Sequence, residues 1–305
     1  AQVVATTADF VSPGGTSQTR VTYTYAPNGF LATRTIETDR SGAFVPTERV
    51  SFVYEGQLVT SIVEEGFADG AFVVDARESY TYEGGRVRQI TYEVRSESGL
   101  VPSGRDTYTY GGTTLPIEIV EESYDGTMFL NELRTTLSEA GSDVIVLEER
   151  WDGSAWVNDA RDTFGGTSLA EFEAAFSDES FFALGAGTPN GFVVELADFD
   201  ANTERTRFYD AELSESWDGA AWVPTGRSTL AREAGRLSTV LIEVWVGTEW
   251  ENEFRNLYIY NSDGRTASFI SQEWTGSAWR DGVAFQFSYD ANGNITQEIY
   301  DAYGN

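Results

Sequence analysis

Any chemistry in this chain falls to carboxylates, hydroxyls, guanidinium groups and indoles. Its 305 residues include no His and no Cys, and all 20 basic residues are Arg. That excludes imidazole-based triads, thiol nucleophiles and the usual zinc sites. It also excludes Schiff-base chemistry and a phosphate-binding P-loop, both of which need Lys. A carboxylate pair of glycosidase type is the common catalytic apparatus left. With 49 Asp and Glu, such a pair arises from abundance alone, so the chain reads as a non-enzyme without a cofactor. One stretch has metal-ligand spacing. Asp198, Asp200, Asn202 and Glu204 alternate like the start of a Ca²⁺ loop, but the Gly at its sixth place and the closing Glu are missing. The same residues read as a degenerate Tyr-Asp-x-Asn turn.

The tryptophans are the more informative set. All eight fall into pairs of one spacing: Trp151/Trp156, Trp217/Trp222, Trp245/Trp250 and Trp274/Trp279. Phe67/Phe72 and Tyr124/Phe129 hold the same places earlier. The second member recurs at Phe44, Phe72, Leu100, Phe129, Trp156, Phe192, Trp222, Trp250 and Trp279, a period of about 28 residues with one longer step before Phe192. Other columns lock to this frame. Arg lies five residues after the second aromatic at Arg49, Arg77, Arg105, Arg134, Arg161, Arg227 and Arg255. Glu lies two before the first at Glu37, Glu65, Glu93, Glu122, Glu149, Glu215 and Glu243, with Gln272 once in the column. Tyr-x-Tyr pairs such as Tyr80/Tyr82 and Tyr108/Tyr110 follow the Arg. The indole pairs could stack on sugars or clasp neighbouring strands. The Arg column could stack on the facing Ile and Tyr layers or pair with acids.

Each unit reads as a β-hairpin. Tyr, Thr and Val suit extended strands, and Asn-Gly, Gly-Gly and Asp-Gly punctuate them. Tandem units make an all-β antiparallel meander of 18 to 20 strands in 9 to 10 hairpins. Strict alternation would put the Tyr pair on the face of the aromatic pair and Arg on the opposite face. Both faces then carry an apolar stripe, so the sheet is expected to curl or coil on itself, or to be covered by neighbours. We divide the chain into a lead-in strand at 1–19, hairpins at 20–160, a divergent unit at 161–204 and hairpins ending in a half unit at 205–305. The insertion near 167–184 reads as a short helix or an irregular insertion: Ser168 and Glu171 have capping-box spacing, and Leu169, Phe172 and Phe176 sit at helical spacing.

The formal charge is −29. Such a surface repels itself in dilute buffer and is screened at high salt, so it reads as a halophilic adaptation, the alternative being an acidic secreted protein from a GC-rich genome in which Arg codons displace Lys codons. It offers no basic patch for nucleic acid. No apolar run approaches the ~20 residues that span a bilayer, so no membrane insertion is expected.

The pattern Trp-Asp-Gly-Ser-Ala-Trp-Val-Asn from Trp151, then Arg, then aromatic-x-Tyr-Asp-x-Asn-Gly-Asn to Asn294, resembles the tandem repeats of bacterial surface proteins exported by type IX secretion. More distantly it resembles the YD repeats of Rhs and teneurin-like shells. The likeness runs from Arg20 onward. It implies a secreted or cell-surface location and a structural task; other copies of the chain are expected as partners because an open meander leaves unpaired strand edges. Val3, Val4 and Phe10 lie in a strand-like stretch outside the repeat frame, a candidate to join copies head to tail into a filament or matrix. The alternatives are an adhesin binding cell-surface glycans, and a shell around a cargo domain.

Overall fold

The computed structural model describes residues 2–12, 15–39, 42–113, 115–176, 209–289 and 295–302. Among these, nineteen strands and one helix form. β1 (Gln2–Ser12), β2 (Gly15–Tyr25), β3 (Leu31–Asp39), β4 (Phe44–Glu55) and β5 (Leu58–Ala68) open the series. β6 (Ala71–Glu83), β7 (Arg86–Ser96), β8 (Gly99–Thr109), β9 (Glu118–Tyr124) and β10 (Phe129–Ala140) continue it. After β11 (Asp143–Trp151) and β12 (Trp156–Gly165) comes α1 (Leu169–Phe176). The chain then runs through β13 (Ala211–Trp217), β14 (Trp222–Glu233), β15 (Arg236–Val246), β16 (Glu249–Tyr260), β17 (Thr266–Trp274), β18 (Trp279–Tyr289) and β19 (Ile295–Ala302). Two compact units result. One holds β1 to β9 and the start of β10. The other holds the rest of β10, α1 and β11 to β19.

Within each unit, successive strands pair antiparallel, as the hairpin repeat requires. Among the described residues of each unit the expected curling is absent. Strands touch their sequence neighbours in an open, uncurled sheet. The reason lies in side-chain length. Arg, Trp and Tyr lie along the sheet and cover apolar surface with their own stems and rings, so no second layer is needed to shield it. Most side chains are accordingly half-buried, and the fully buried ones are few: Ile90, Val144, Leu237, Thr167 and Phe172.

A repeated β-bulge corrects the face assignment. Where the Glu column meets the outgoing strand the register slips by one residue: Glu64 faces Ala76 but Glu65 faces Val74, which leaves Asp75 extra. The same slip leaves Thr47, Ser103, Asp159, Thr225, Glu253 and Gly282 extra. One extra residue between the second aromatic and the Arg reverses the alternation. Arg therefore shares the face of the aromatic pair, and the Tyr pair lies on the other. Thr47 and Thr225 mark the bulge chemically, each donating its hydroxyl to a carbonyl of the facing strand, at Ile36 and Ser214 (3.1 Å both).

The insertion begins as expected. The Ser168 amide donates to the Glu171 carboxylate at 2.9 Å and the Glu171 amide to the Ser168 hydroxyl at 3.3 Å, a reciprocal cap on α1. Phe172 is buried against Phe164 of β12, with ring centroids 5.2 Å apart, and Phe164 meets Tyr209 at the same distance. The helix thus plugs the tyrosine face of its unit.

Candidate functional site: the clasp ladder

The most repetitive chemistry among the described residues is a ladder of aromatic, Arg and Glu side chains on one face of each unit. Its rungs begin at the turns. Each aromatic pair flanks a hairpin turn as directly opposed residues, as with Trp151 and Trp156. The rings meet edge to face or tilted at 5.0–5.3 Å in Trp151/Trp156, Trp217/Trp222, Trp245/Trp250, Trp274/Trp279, Phe67/Phe72 and Tyr124/Phe129. Such pairs contribute about 0.5–1.5 kcal/mol beyond area burial. The turn sequence fixes the approach. Asp152 Oδ1 accepts from the Ser154 and Ala155 amides at 2.8 Å each, and Gly153 takes the positive φ of 98° that follows. Asp125 and Asp218 repeat the device, and these amide bonds hold all three carboxyls below their ordinary pKa.

The Arg column joins one hairpin to the next. Arg49 donates Nε and Nη2 to Glu65 at 2.5 and 2.7 Å, and its guanidinium lies 4.2 Å from the centroid of Phe72, the second aromatic of the next hairpin. The arrangement recurs as Arg105 with Glu122 and Phe129, Arg134 with Glu149 and Trp156, Arg161 with Glu215 and Trp222, and Arg227 with Glu243 and Trp250. Arg20 with Glu37 and Phe44 begins the series. Arg77 pairs with Glu93, but Leu100 stands where a ring would be. At Arg255 the partner is Gln272, whose Oε1 accepts from Nε at 2.9 Å while its Nε2 donates to Asp281 at 2.6 Å. Trp279 lies under that guanidinium at 4.6 Å. Fork-on-fork pairing over a ring is a geometry that Arg provides and Lys does not. The pairing holds Glu37 and Glu65 below the ordinary carboxylate pKa, through the Arg hydrogen bonds first.

The opposite face carries a different set. Tyr80, Ile90, Tyr108, Ile119 and Val59 form a buried cluster in the first unit, ringed by Tyr54, Tyr82 and Tyr92. Carboxylates also stand among these rings. The Tyr92 hydroxyl donates to Asp106 at 2.6 Å, and the Tyr80 hydroxyl donates to Glu78. Burial pushes Glu78 and Asp106 above their ordinary pKa, and it does the same to Glu148 and Glu212 in the second unit. An open depression of about 270 Å³ lies beside Glu64, Glu78 and Tyr92. Among the described residues, no three carboxylates come together to hold a metal ion. The Ca²⁺ candidate Asp198, Asp200, Asn202 and Glu204 lies outside the described residues.

Sequence spacing therefore found the ladder's members and left the Arg column open between pairing with acids and stacking on the facing Ile and Tyr layers; the structure pairs it with the Glu column. Both columns stood in the sequence about 16 residues apart, Arg49 to Glu65 and Arg77 to Glu93, the separation of directly opposed residues across a turn. The missed signal was Pro46, Pro102 and Pro224 just before the bulge, since Pro inside a strand pattern marks a bulge. Val3, Val4 and Phe10 lie in β1, whose backbone pairs with β2 of the same chain from Gln2↔Tyr25 to Ser12↔Gly15.

No protein-family model matches this chain, and no curated protein sequence matches it. Solved structures match it at low similarity. A protein of unknown function, BF3112 from Bacteroides fragilis NCTC 9343, is 12% identical over 51% of this chain and 91% of its own, with a TM-score of 0.33. A porin-like protein from Bacteroides uniformis ATCC 8492 is 12% identical over 92% of both chains, with a TM-score of 0.35. The TcdB2-TccC3 structure is 12% identical over 96% of this chain and 15% of its own, with a TM-score of 0.42. No helix among the described residues is long and apolar enough to cross a membrane.

Proposed function

We propose that the chain is an extracellular structural or surface protein whose repeats build a sheet that extends by self-association in salt-rich surroundings. The observation that carries this reading is the ladder. Its polar groups are spent on holding hairpin to hairpin, with Arg bound at once by a carboxylate and a ring. A reaction centre instead leaves groups poised for a substrate. The charge of −29 supports the salt-rich setting, because it favours separation of copies in dilute buffer and allows contact once screened. Assembly is read as edge pairing. Among the described residues β1 pairs with β2, and a strand of a second copy is proposed to pair along its other edge. This differs from strand exchange, which would require β1 to leave β2.

Electron microscopy and sedimentation at low and molar salt test this. Fibres or sheets at molar salt, lost when residues 1–12 are removed, are expected. A monomer that persists at high concentration in molar salt overturns it, as does assembly indifferent to that truncation.

A further inference from the structure

The four Trp clasps occupy four consecutive hairpins of one unit: β11/β12, β13/β14, β15/β16 and β17/β18. These hairpins pair with one another in sequence, so the clasps lie in a row along one rim of the sheet and on one face. Adjacent strands are about 4.8 Å apart, so a clasp recurs every two strands, at about 10 Å. That is the length of two pyranose residues in an extended β-1,4-linked chain, the repeat at which such a polymer presents the same sugar face again.

We propose that this rim binds a neutral, extended β-1,4-linked glycan, with one clasp for each disaccharide. All eight indoles are only partly buried. Every described guanidinium contact to a clasp falls on the second ring, at Trp156, Trp222, Trp250 and Trp279. The first rings, Trp151, Trp217, Trp245 and Trp274, are therefore the ones a ligand engages. An indole face is electron-rich and attracts the axial C–H groups of an all-equatorial sugar. The charge of −29 selects against anionic polysaccharides. The row is also specific to this stretch, because the first unit makes its clasps from Phe67/Phe72 and Tyr124/Phe129 in the same geometry. The fold does not need Trp at these places, and a function that needs indole area accounts for their concentration in four successive hairpins.

The same comparison supplies the control. Phe in place of the first ring preserves a clasp that this fold already uses. The full chain would be incubated in molar salt, below the concentration at which it sediments alone, with microcrystalline cellulose, chitin, starch and polygalacturonate. Soluble cello- and chito-oligosaccharides of increasing length would be titrated against Trp fluorescence. Binding to at least one β-1,4 polymer, with none to starch or polygalacturonate, is expected. Affinity should climb with oligosaccharide length to about eight sugars, two per clasp. The variant carrying Trp151→Phe, Trp217→Phe, Trp245→Phe and Trp274→Phe should keep its fold by circular dichroism and lose at least tenfold in affinity. No binding by the wild type, equal binding by the folded variant, or equal binding to starch overturns the proposal. Because unassembled protein is used, its failure leaves the assembly reading intact, and failure to form fibres leaves this one intact.

Discussion

At the scale of single residues, the ladder carries its own internal control. Gln272 holds Arg255 in the position where seven other units use Glu, so a neutral amide suffices to orient the guanidinium. What the carboxylate adds is charge, and its value depends on exposure. Glu243 is buried, while Arg227 keeps 38% of its side chain exposed, so water screens part of the attraction. We expect Glu243→Gln to cost well under 1 kcal/mol. Glu243→Ala should cost about 1–2 kcal/mol, because it strips both hydrogen bonds from Arg227 and leaves its guanidinium over Trp250 without an acceptor. Urea melts of the two variants at fixed salt check this. Equal losses would mean that packing of the side-chain stem, not the hydrogen bonds, fixes the Arg.

At the scale of elements, the hairpin was legible in the sequence and its handedness of faces was not. Columns such as Arg49, Phe52, Tyr54 and Phe72 give period and turn position directly, because turn residues and paired aromatics survive in nearly every unit. The bulge leaves no residue type of its own: Thr47, Asp75, Ser103 and Gly282 all occupy it. Alternation alone therefore assigned Arg to the wrong face. The helix start was legible because Ser168 and Glu171 are neighbours in sequence. The Phe164–Tyr209 contact was not, since it brings together residues far apart in the chain. Two glycines beside bulges make the backbone's role testable. A Cβ on Gly104 would sit 2.9 Å from the Glu122 carbonyl oxygen, a backbone atom held in the ladder. A Cβ on Gly66 would meet only the carboxylate end of Asp75, which can swing aside. Gly104→Ala should lose about 1–3 kcal/mol by forcing β8 away from β9, while Gly66→Ala should lie near the wild type in the same thermal melts. The reverse order would place the tight approach at the wrong bulge.

At the scale of the whole molecule, net charge and local pairing pull in opposite directions with salt. The ladder's Arg–Glu pairs are short and half-buried, so added ions reach them poorly. The excess of 29 negative charges is not paired within the chain, and its mutual repulsion is spread over distances longer than the Debye length at molar salt, about 3 Å. Screening should therefore relieve the repulsion while leaving the pairs nearly whole. Stability is expected to rise steeply between about 0.01 and 0.5 M sodium chloride and to level off near 1 M, where the Debye length has fallen below the spacing of most surface carboxylates. The form of the curve separates two causes. Sodium and potassium chloride should act alike if screening dominates, whereas sodium sulfate should continue to stabilise beyond 1 M through its exclusion from apolar surface. Melting curves in the three salts, read alongside Glu243→Ala, check the division, because the variant should lose the same increment at every salt concentration. A midpoint that falls on adding the first 0.5 M salt would show that the pairs, rather than the repulsion, govern the molecule's response, and would remove the case for a salt-rich habitat.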